Sequence, residues 1–305
     1  MKTCLVIGGR GFLGRHLVPR LQTAGWKVVV AGRSAVGKDL TAGIEYHQVD
    51  ITRADAVEQL IALTEPDGVV NLAGRTRGTA EELFETNQQG VVYLLSAIKY
   101  STPHASVVLI GSAAEYGNVP SANMPIVETT PCTPVSDYGS SKLASTLNAL
   151  DLGRTWNMRV SVLRTFNMVG EGTPESFVVG ALVARIRRAV RTGDTTPIPV
   201  GRTDTTRDFV AVTDVADAIV RLLDRNGGPE VFNICSGQPV SIEQLLSSLT
   251  KIAGVPVTWQ QDPALVRATD PLVSYGSYER LKREIGFTPQ VSLDDSLSAA
   301  WRATG

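Results

Sequence analysis

Histidine and cysteine are scarce in this chain of 305 residues, three of each. His16, His47 and His104 lie far apart, and no pair has metal-ligand spacing, so no metal site is expected. Cys4, Cys132 and Cys235 are odd in number and form no CxxC, which argues against a disulfide framework or a zinc knuckle. No run of about 18 apolar residues occurs, so no membrane span is expected. The opening MKTCLVIGG meets glycine too soon for a signal peptide, and the expected compartment is the reducing cytoplasm. Charge of one sign is also missing. Twenty-nine Lys and Arg against 30 Asp and Glu leave a formal net charge of −1, whereas a dedicated nucleic-acid binder carries a strongly basic face. What remains is 43% hydrophobic and 19% charged, the composition of a folded chain. At roughly 100–200 residues per domain it makes one large domain or two fused ones, with a core that needs no covalent staples.

Short apolar runs alternate with amphipathic stretches. Strands are predicted at 4–7, 27–31, 45–49, 68–72, 106–110 and 160–163, with helices at 13–24, 54–63, 81–100 and 136–153 between them. This alternation predicts an α/β fold with a doubly wound parallel sheet. The strand runs are apolar at consecutive positions, as a sheet covered on both faces requires. After about residue 167 the rhythm changes. A basic helix (177–191), a Thr/Pro/Gly-rich stretch (192–206), a strand (208–212) and a helix (214–223) precede a strand (231–234), a helix (242–253), a strand (255–259) and two short helices. The expected division is a dinucleotide-binding domain of 1–168 plus about 207–234, and a smaller lobe of about 169–206 and 235–305.

Gly8-Gly9-Arg10-Gly11-Phe12-Leu13-Gly14 lies between the first strand and the first helix. Glycines at 8, 11 and 14 allow a tight turn and let a helix N-terminus approach a pyrophosphate. Read alone, such a run is also compatible with an ordinary turn. A site for NAD places a carboxylate at the end of the second strand, on the ribose hydroxyls. This chain has Gly32-Arg33-Ser34 there. Arg33 and Ser34, with Arg10 as a second cation, suit a 2′-phosphate, so NADP(H) is the expected cofactor. The alternative for Arg33 is a solvated loop residue. Asp50 and Ile51 would flank the adenine, and Leu72-Ala73-Gly74 would let the cofactor backbone pass closely.

Tyr138 and Lys142 stand four apart in YGSSK, on one face of a predicted helix. Chance alone supplies roughly 0.16 such pairs in a chain of this composition. A tyrosine loses its proton near pH 10, and a lysine cation one turn away stabilises the phenolate. Tyr138 could then exchange a proton with a carbonyl or alcohol oxygen while hydride moves. Ser112, just past the fifth strand, could hold that oxygen. Taken singly it reads as a strand-end serine.

Together these segments resemble the short-chain dehydrogenase/reductase superfamily, in its extended branch that modifies nucleotide sugars. The glycine loop, Asn87 in TNQQG, IGSAAEYG, YGSSK, RTFNMVG, RDFV before TDVADA, VFNICSG and YERLKREIGFTP occur in the expected order over nearly the whole chain. The resemblance adds Asn87 to the cofactor site. For the substrate, it implies that Asn167 and the cations Arg207 and Arg267 meet a diphosphate, Phe177 lies beside the base, and Asp270 accepts from ribose hydroxyls. Arg207 could instead form an ion pair with Asp208 or Asp214. Arg185, Arg187, Arg188 and Arg191 read as a solvated helix face. Family dehydratases carry an acid or base in the two positions matching Ala113 and Ala114, and alanine moves no proton.

The patterns are most similar to those of reductases of GDP-4-keto-6-deoxymannose. Two segments differ: the stretch between Gly74 and Asn87 is short, and Met168 to Gly172 lacks the His and Pro of that group. The expectation is an NADPH-dependent 4-ketoreductase acting on a nucleotide-activated 6-deoxyhexose, GDP-4-keto-6-deoxymannose-like, with a nucleotide-sugar 4-epimerase and a non-catalytic NADP-sensing regulator as alternatives. A homodimer through the helices at 81–100 and 136–153 is implied by the resemblance.

Overall fold

The structure is a computed structural model describing residues 1–35, 44–266 and 271–302. The first part runs β1 (Thr3–Ile7), α1 (Phe12–Thr23), β2 (Lys27–Gly32), β3 (Glu45–Gln48), α2 (Ala54–Thr64), β4 (Gly68–Asn71), α3 (Ala80–Phe84), α4 (Gly90–Ser101), β5 (Ser106–Ser112), α5 (Asp137–Thr155) and β6 (Arg159–Thr165). It continues with β7 (Asn167–Val169), α6 (Val178–Thr192), β8 (Ile198–Val200), β9 (Thr206–Ala211), α7 (Val212–Leu223), β10 (Glu230–Ile234), β11 (Pro239–Ser241), α8 (Ile242–Ala253), β12 (Trp259–Gln261), β13 (Val273–Ser274), α9 (Glu279–Ile285) and α10 (Leu293–Arg302).

Seven parallel strands form one sheet in the order β10-β6-β5-β4-β1-β2-β3. Successive residues of β1, from Cys4 to Ile7, are all buried, because helices cover both faces. Cys4 and Val6 join Leu17 and Leu21 of α1 and Ile219 of α7 in one core. Leu5 and Ile7 join Ile61 of α2 and Leu94 and Ile98 of α4 in the other. Each such side chain contributes about 1.5–3 kcal/mol by leaving water. This is the doubly wound α/β fold expected from the alternation. Strand order reverses direction on either side of β1, and the crevice at that switch point, beyond the carboxyl ends of β1 and β4, is where such sheets take ligands.

Beyond β6 the chain divides its elements. α7 packs on α1 and β10 closes the edge of the large sheet. The predicted strand at 208–212 does not enter that sheet. As β9 it pairs with β7, β11 and β13. Those three partners have two or three residues each, too few for a periodicity to register. The strand expected at 255–259 begins only at Trp259 and pairs with β8, which lies inside the Thr/Pro/Gly-rich stretch. A third core, with Leu182 and Ile186 of α6, Leu246 and Leu249 of α8 and Leu297 of α10, holds this lobe together. The helix expected at 81–100 is broken. A π-helical turn, Glu85–Gln89, separates α3 from α4, an irregularity frequent at functional sites.

Candidate active site

The glycine loop leaves β1 and enters α1. Gly8 has φ +80°, and its amide donates to the Ala31 carbonyl at 2.7 Å. A side chain at Gly8 would come within 2.9 Å of the Ala73 amide nitrogen, so the loop lies directly against the end of β4. Gly14, in the first turn of α1, packs on the backbone of Gly9, inside any distance a Cβ allows. Gly11 caps the helix without a side-chain bond, and the first turn contains no acid. The helix thus begins at exposed Gly11 with no acid in its first turn, a helix end that could receive an anion such as a dinucleotide pyrophosphate.

At the end of β2 Arg33 and Ser34 are exposed. Tyr46 and Gln48, two residues the sequence does not single out, hold that turn. The Tyr46 hydroxyl bonds the carbonyls of Ser34 and Gly32, at 2.6 and 3.1 Å, and Gln48 donates to the Arg33 carbonyl at 2.9 Å. Arg10 donates to the Ala35 carbonyl at 3.0 Å and lies 5.6 Å from the Tyr46 ring centre. Arg10, Arg33 and Ser34 therefore come together at one corner. Asp50 accepts from the Thr52 amide and hydroxyl, and Ile51 is buried beneath it.

Asn87 sits on the π-helical turn, 1% exposed. Its side chain accepts from the Arg75 amide at 2.8 Å and donates to the Arg75 carbonyl and the Ser141 hydroxyl, each at 2.9 Å. It clamps the Gly74-Arg75 segment to α5. Nearby, Arg75 pairs with Glu82 at 2.9 Å.

Ser112 ends β5, and Tyr138 and Lys142 lie on the first turns of α5, whose start is capped by Ser136. Tyr138 shares a hydrogen bond with the Ser112 side chain. Burial pushes the Tyr138 phenol above its ordinary value, the Ser112 bond opposes this, and the charge of Glu115 adds to it. The Lys142 ammonium donates to the Ile110 carbonyl. Burial pulls Lys142 below its ordinary value, and Glu115 opposes that shift. In the protein alone, burial is thus the largest influence on Tyr138, while the expected stabilisation of a phenolate relies on Lys142 together with the charge of an oxidised nicotinamide. Glu115 is a residue the sequence reading missed. Its signal was available, since Ser112-x-x-Glu115 has capping-box spacing and both bonds of the box form.

One cavity of about 890 Å³ joins these groups to the second lobe. Leu72, Ala73, Gly74, Ser112, Tyr138 and Lys142 line one end, with Ala113 and Ala114 beside them, and Arg207, Val200 and Val266 line the other. Asn167 lies on its wall and donates to the Asp208 carbonyl at 2.8 Å. Arg207 donates to the carbonyls of Thr206 and Pro271, at 2.8 and 2.7 Å. Asp208 accepts instead from the Ser236, Gly237 and Gly276 amides, and Asp214 from those of Gln290 and Val291. Phe177 meets Phe12 edge to face, with centroids 6.1 Å apart, so it stands beside the glycine loop. Arg267 and Asp270 lie outside the described residues. Arg185, expected on a solvated face, lines this cavity and donates to the Pro199 carbonyl at 2.6 Å, while Arg187, Arg188 and Arg191 line a separate groove. Packing of α6 over β8 turns Arg185 inward, which helical spacing alone does not specify.

Among the described residues no group of His, Cys, Asp and Glu suits a metal ion, and no helix is long and apolar enough to cross a membrane. Residues 4–235 match the NAD dependent epimerase/dehydratase family. The chain belongs to that family. It is 33% identical to the GDP-6-deoxy-D-mannose reductase of Pseudomonas aeruginosa, over 96% of this chain and 94% of that one. It is 29% identical to the dTDP-6-deoxy-L-talose 4-dehydrogenase (NAD(P)(+)) of Kitasatospora kifunensis, over 98% and 94%. The solved structure of RMD from P. aeruginosa complexed with NADPH superposes with a TM-score of 0.86 at 31% identity, covering 99% of this chain and 98% of that one. A UDP-glucose 4-epimerase from Thermotoga maritima, solved with UDP-glucose, gives 0.89 at 26% identity, covering 99% and 98%. This epimerase/dehydratase family member is therefore one of the nicotinamide-dependent enzymes of nucleotide sugars, within a group that holds both reductases and epimerases.

Proposed function

We propose that the protein reduces the 4-keto group of a nucleotide-activated 6-deoxyhexose, GDP-linked, with NADPH. The observation that carries this reading is the meeting of Ser112, Tyr138 and Lys142 at the cavity, with the methyl groups of Ala113 and Ala114 in the positions where dehydratases carry an acid or base. The layer built by residues 1–165 with α7 and β10 would hold the cofactor. The elements of 169–206 and 235–302 would hold the nucleotide sugar. Gly8, Gly11, Phe12, Leu13 and Gly14 would cradle the pyrophosphate, with Arg10, Arg33 and Ser34 on the 2′-phosphate, Asp50 and Ile51 at the adenine, and Leu72 to Gly74 along the cofactor backbone. Asn87 would hold that last segment in shape. The bound dinucleotide supplies the hydride. Tyr138 gives its proton to the substrate oxygen, Ser112 holds that oxygen, and Lys142 orients the ribose and supports Tyr138 electrostatically. Asn167, Arg207 and Arg267 would meet the diphosphate, Phe177 the nucleoside and Asp270 the ribose.

A screen of nucleotide-diphosphate 4-keto sugars with NADPH, followed by loss of absorbance in the reduced-nicotinamide band, tests the reading. Consumption should be greatest with the GDP-linked 6-deoxy substrate. No consumption with any member of the panel would reject it. GDP-mannose with NADP should stay unchanged, because Ala113 and Ala114 transfer no proton; a 4-keto-6-deoxy product would refute the assignment as a reductase.

Cofactor choice is tested separately. A charge-assisted contact is worth about 1.5–3 kcal/mol, or roughly 10- to 150-fold in affinity. Arg33→Ala should weaken NADPH by that factor and leave NADH nearly unchanged in fluorescence titration. Equal losses for both would speak for an NAD enzyme, and with it for an epimerase. Exposed Tyr100 on α4 and Leu147 on α5 support a homodimer through these helices. Sedimentation should give a dimer for the wild type and a monomer for Leu147→Arg.

A further inference from the structure

Behind Ser112 lies a buried ion pair. Glu115 is 0% exposed and Arg164 5%, and their Oε2 and Nε atoms are 2.7 Å apart. The other carboxylate oxygen accepts the Ser112 backbone N–H at 2.8 Å. Gly111 makes room for it: a Cβ there would come within 2.7 Å of that oxygen and 3.3 Å of the Arg164 side chain. Arg164 stands opposite Gly111 in the β5–β6 ladder and lies 4.6 Å from the Tyr116 ring centre. Tyr116 in turn donates to Asn233 at 2.6 Å. The pair is thus built in from three strands.

Burial pushes the Glu115 carboxyl upward, with Arg164 and the Ser112 amide opposing. Arginine keeps its proton in proteins, and a neutral acid beside it would leave a buried guanidinium uncompensated, so the pair is ionised. Such a pair adds little stability over apolar side chains of the same volume. Stability therefore does not account for its position. Glu115 is faced by Arg164 from β6, by Tyr138 and Lys142 from α5, and by Cys132 from the preceding loop.

We propose that Glu115 is a positioning residue: pinned by Arg164 in the space left by Gly111, it fixes the Ser112 backbone and sets a permanent negative charge behind Tyr138 and Lys142. This rests on the reading of Tyr138 and Lys142 as the proton-transfer pair. The charge favours the protonated form of both groups. Glu115 thus opposes proton loss from both groups, adding to the effect of burial on Tyr138 and opposing it on Lys142.

The test is made on the protein without cofactor or substrate. Lysine is labelled with carbon-13 at Cε, and the Lys142 signal is assigned by its loss in Lys142→Met. A nearby carboxylate favours the charged form of an amine. The Lys142 midpoint should therefore fall in Glu115→Gln. It should fall likewise in Glu115→Gln/Arg164→Met, which leaves no buried charge unpaired and serves if the single variant fails to fold. Glu115→Asp, which keeps the charge, should hold the midpoint near the wild-type value. An unchanged midpoint in the double variant, or an aspartate variant that falls as far as glutamine, would overturn the proposal. Neither result touches the substrate screen, so failure of Glu115 and failure of the reductase reading are separable.

Discussion

Tyr138→Phe should lower single-turnover hydride transfer by about 10²- to 10⁴-fold, the usual worth of a general acid. Only a hydroxyl is removed. The ring stays packed at the start of α5, so the variant should melt close to the wild type. NADPH affinity should barely move, because the glycine loop and the β2 corner supply most of the contacts proposed for the cofactor. Ser112 lines the same cavity beside Tyr138, where a substrate oxygen would be presented. Lys142→Met should behave differently and lose both turnover and cofactor affinity. Near wild-type hydride transfer in Tyr138→Phe, with saturating NADPH, would mean that the proton comes from elsewhere and that the mechanism is wrong.

Replacing Gly14 by alanine should be nearly as damaging, and through packing rather than chemistry. A methyl group at this position meets the carbonyl and Cα of Gly9, which are backbone atoms that cannot rotate away. Either α1 moves off the loop or the loop moves off β4, where Gly8 already touches Ala73. Overpacking of this kind costs about 1–3 kcal/mol, sometimes more. Urea unfolding should show a loss of that size with an unchanged m-value. NADPH binding should fall further than stability, since the displaced N-terminus of α1 is the proposed pyrophosphate cradle. A variant that binds NADPH as tightly as the wild type would show that the cradle lies elsewhere.

The carboxyl ends of β1, β4 and β5 all open on the same side, where the proposed cofactor and substrate would meet. Gly8 follows β1 directly, Ala73 lies two residues beyond β4, and Ser112 is the last residue of β5. A cavity lined by Ala73 and Ser112 separates those two from the second lobe. Relatives with reductase and epimerase names share this plan at 26–33% identity, which is why the reaction must be argued from side chains at the site.

The order of apolar runs and glycines was enough, without coordinates, to specify a doubly wound parallel sheet, the loop from Gly8 to Gly14, and the helical pairing of Tyr138 with Lys142. These features are local. Period, turn chemistry and one-turn spacing are written in consecutive residues, and burial on both faces leaves its mark as an unbroken apolar run. What only the tertiary structure decided depends on residues distant in sequence. Glu115 finds Arg164 across two strands, Arg185 turns into the cavity because α6 packs over β8, and Tyr46 reaches the carbonyls of Gly32 and Ser34. Strands β7, β11 and β13 are too short to carry a period and exist through their pairing with β9. The surroundings of Tyr138 are likewise a property of the assembled site: burial and the Glu115 charge push its phenol upward and the Ser112 side chain opposes them, and none of these is visible in a linear chain.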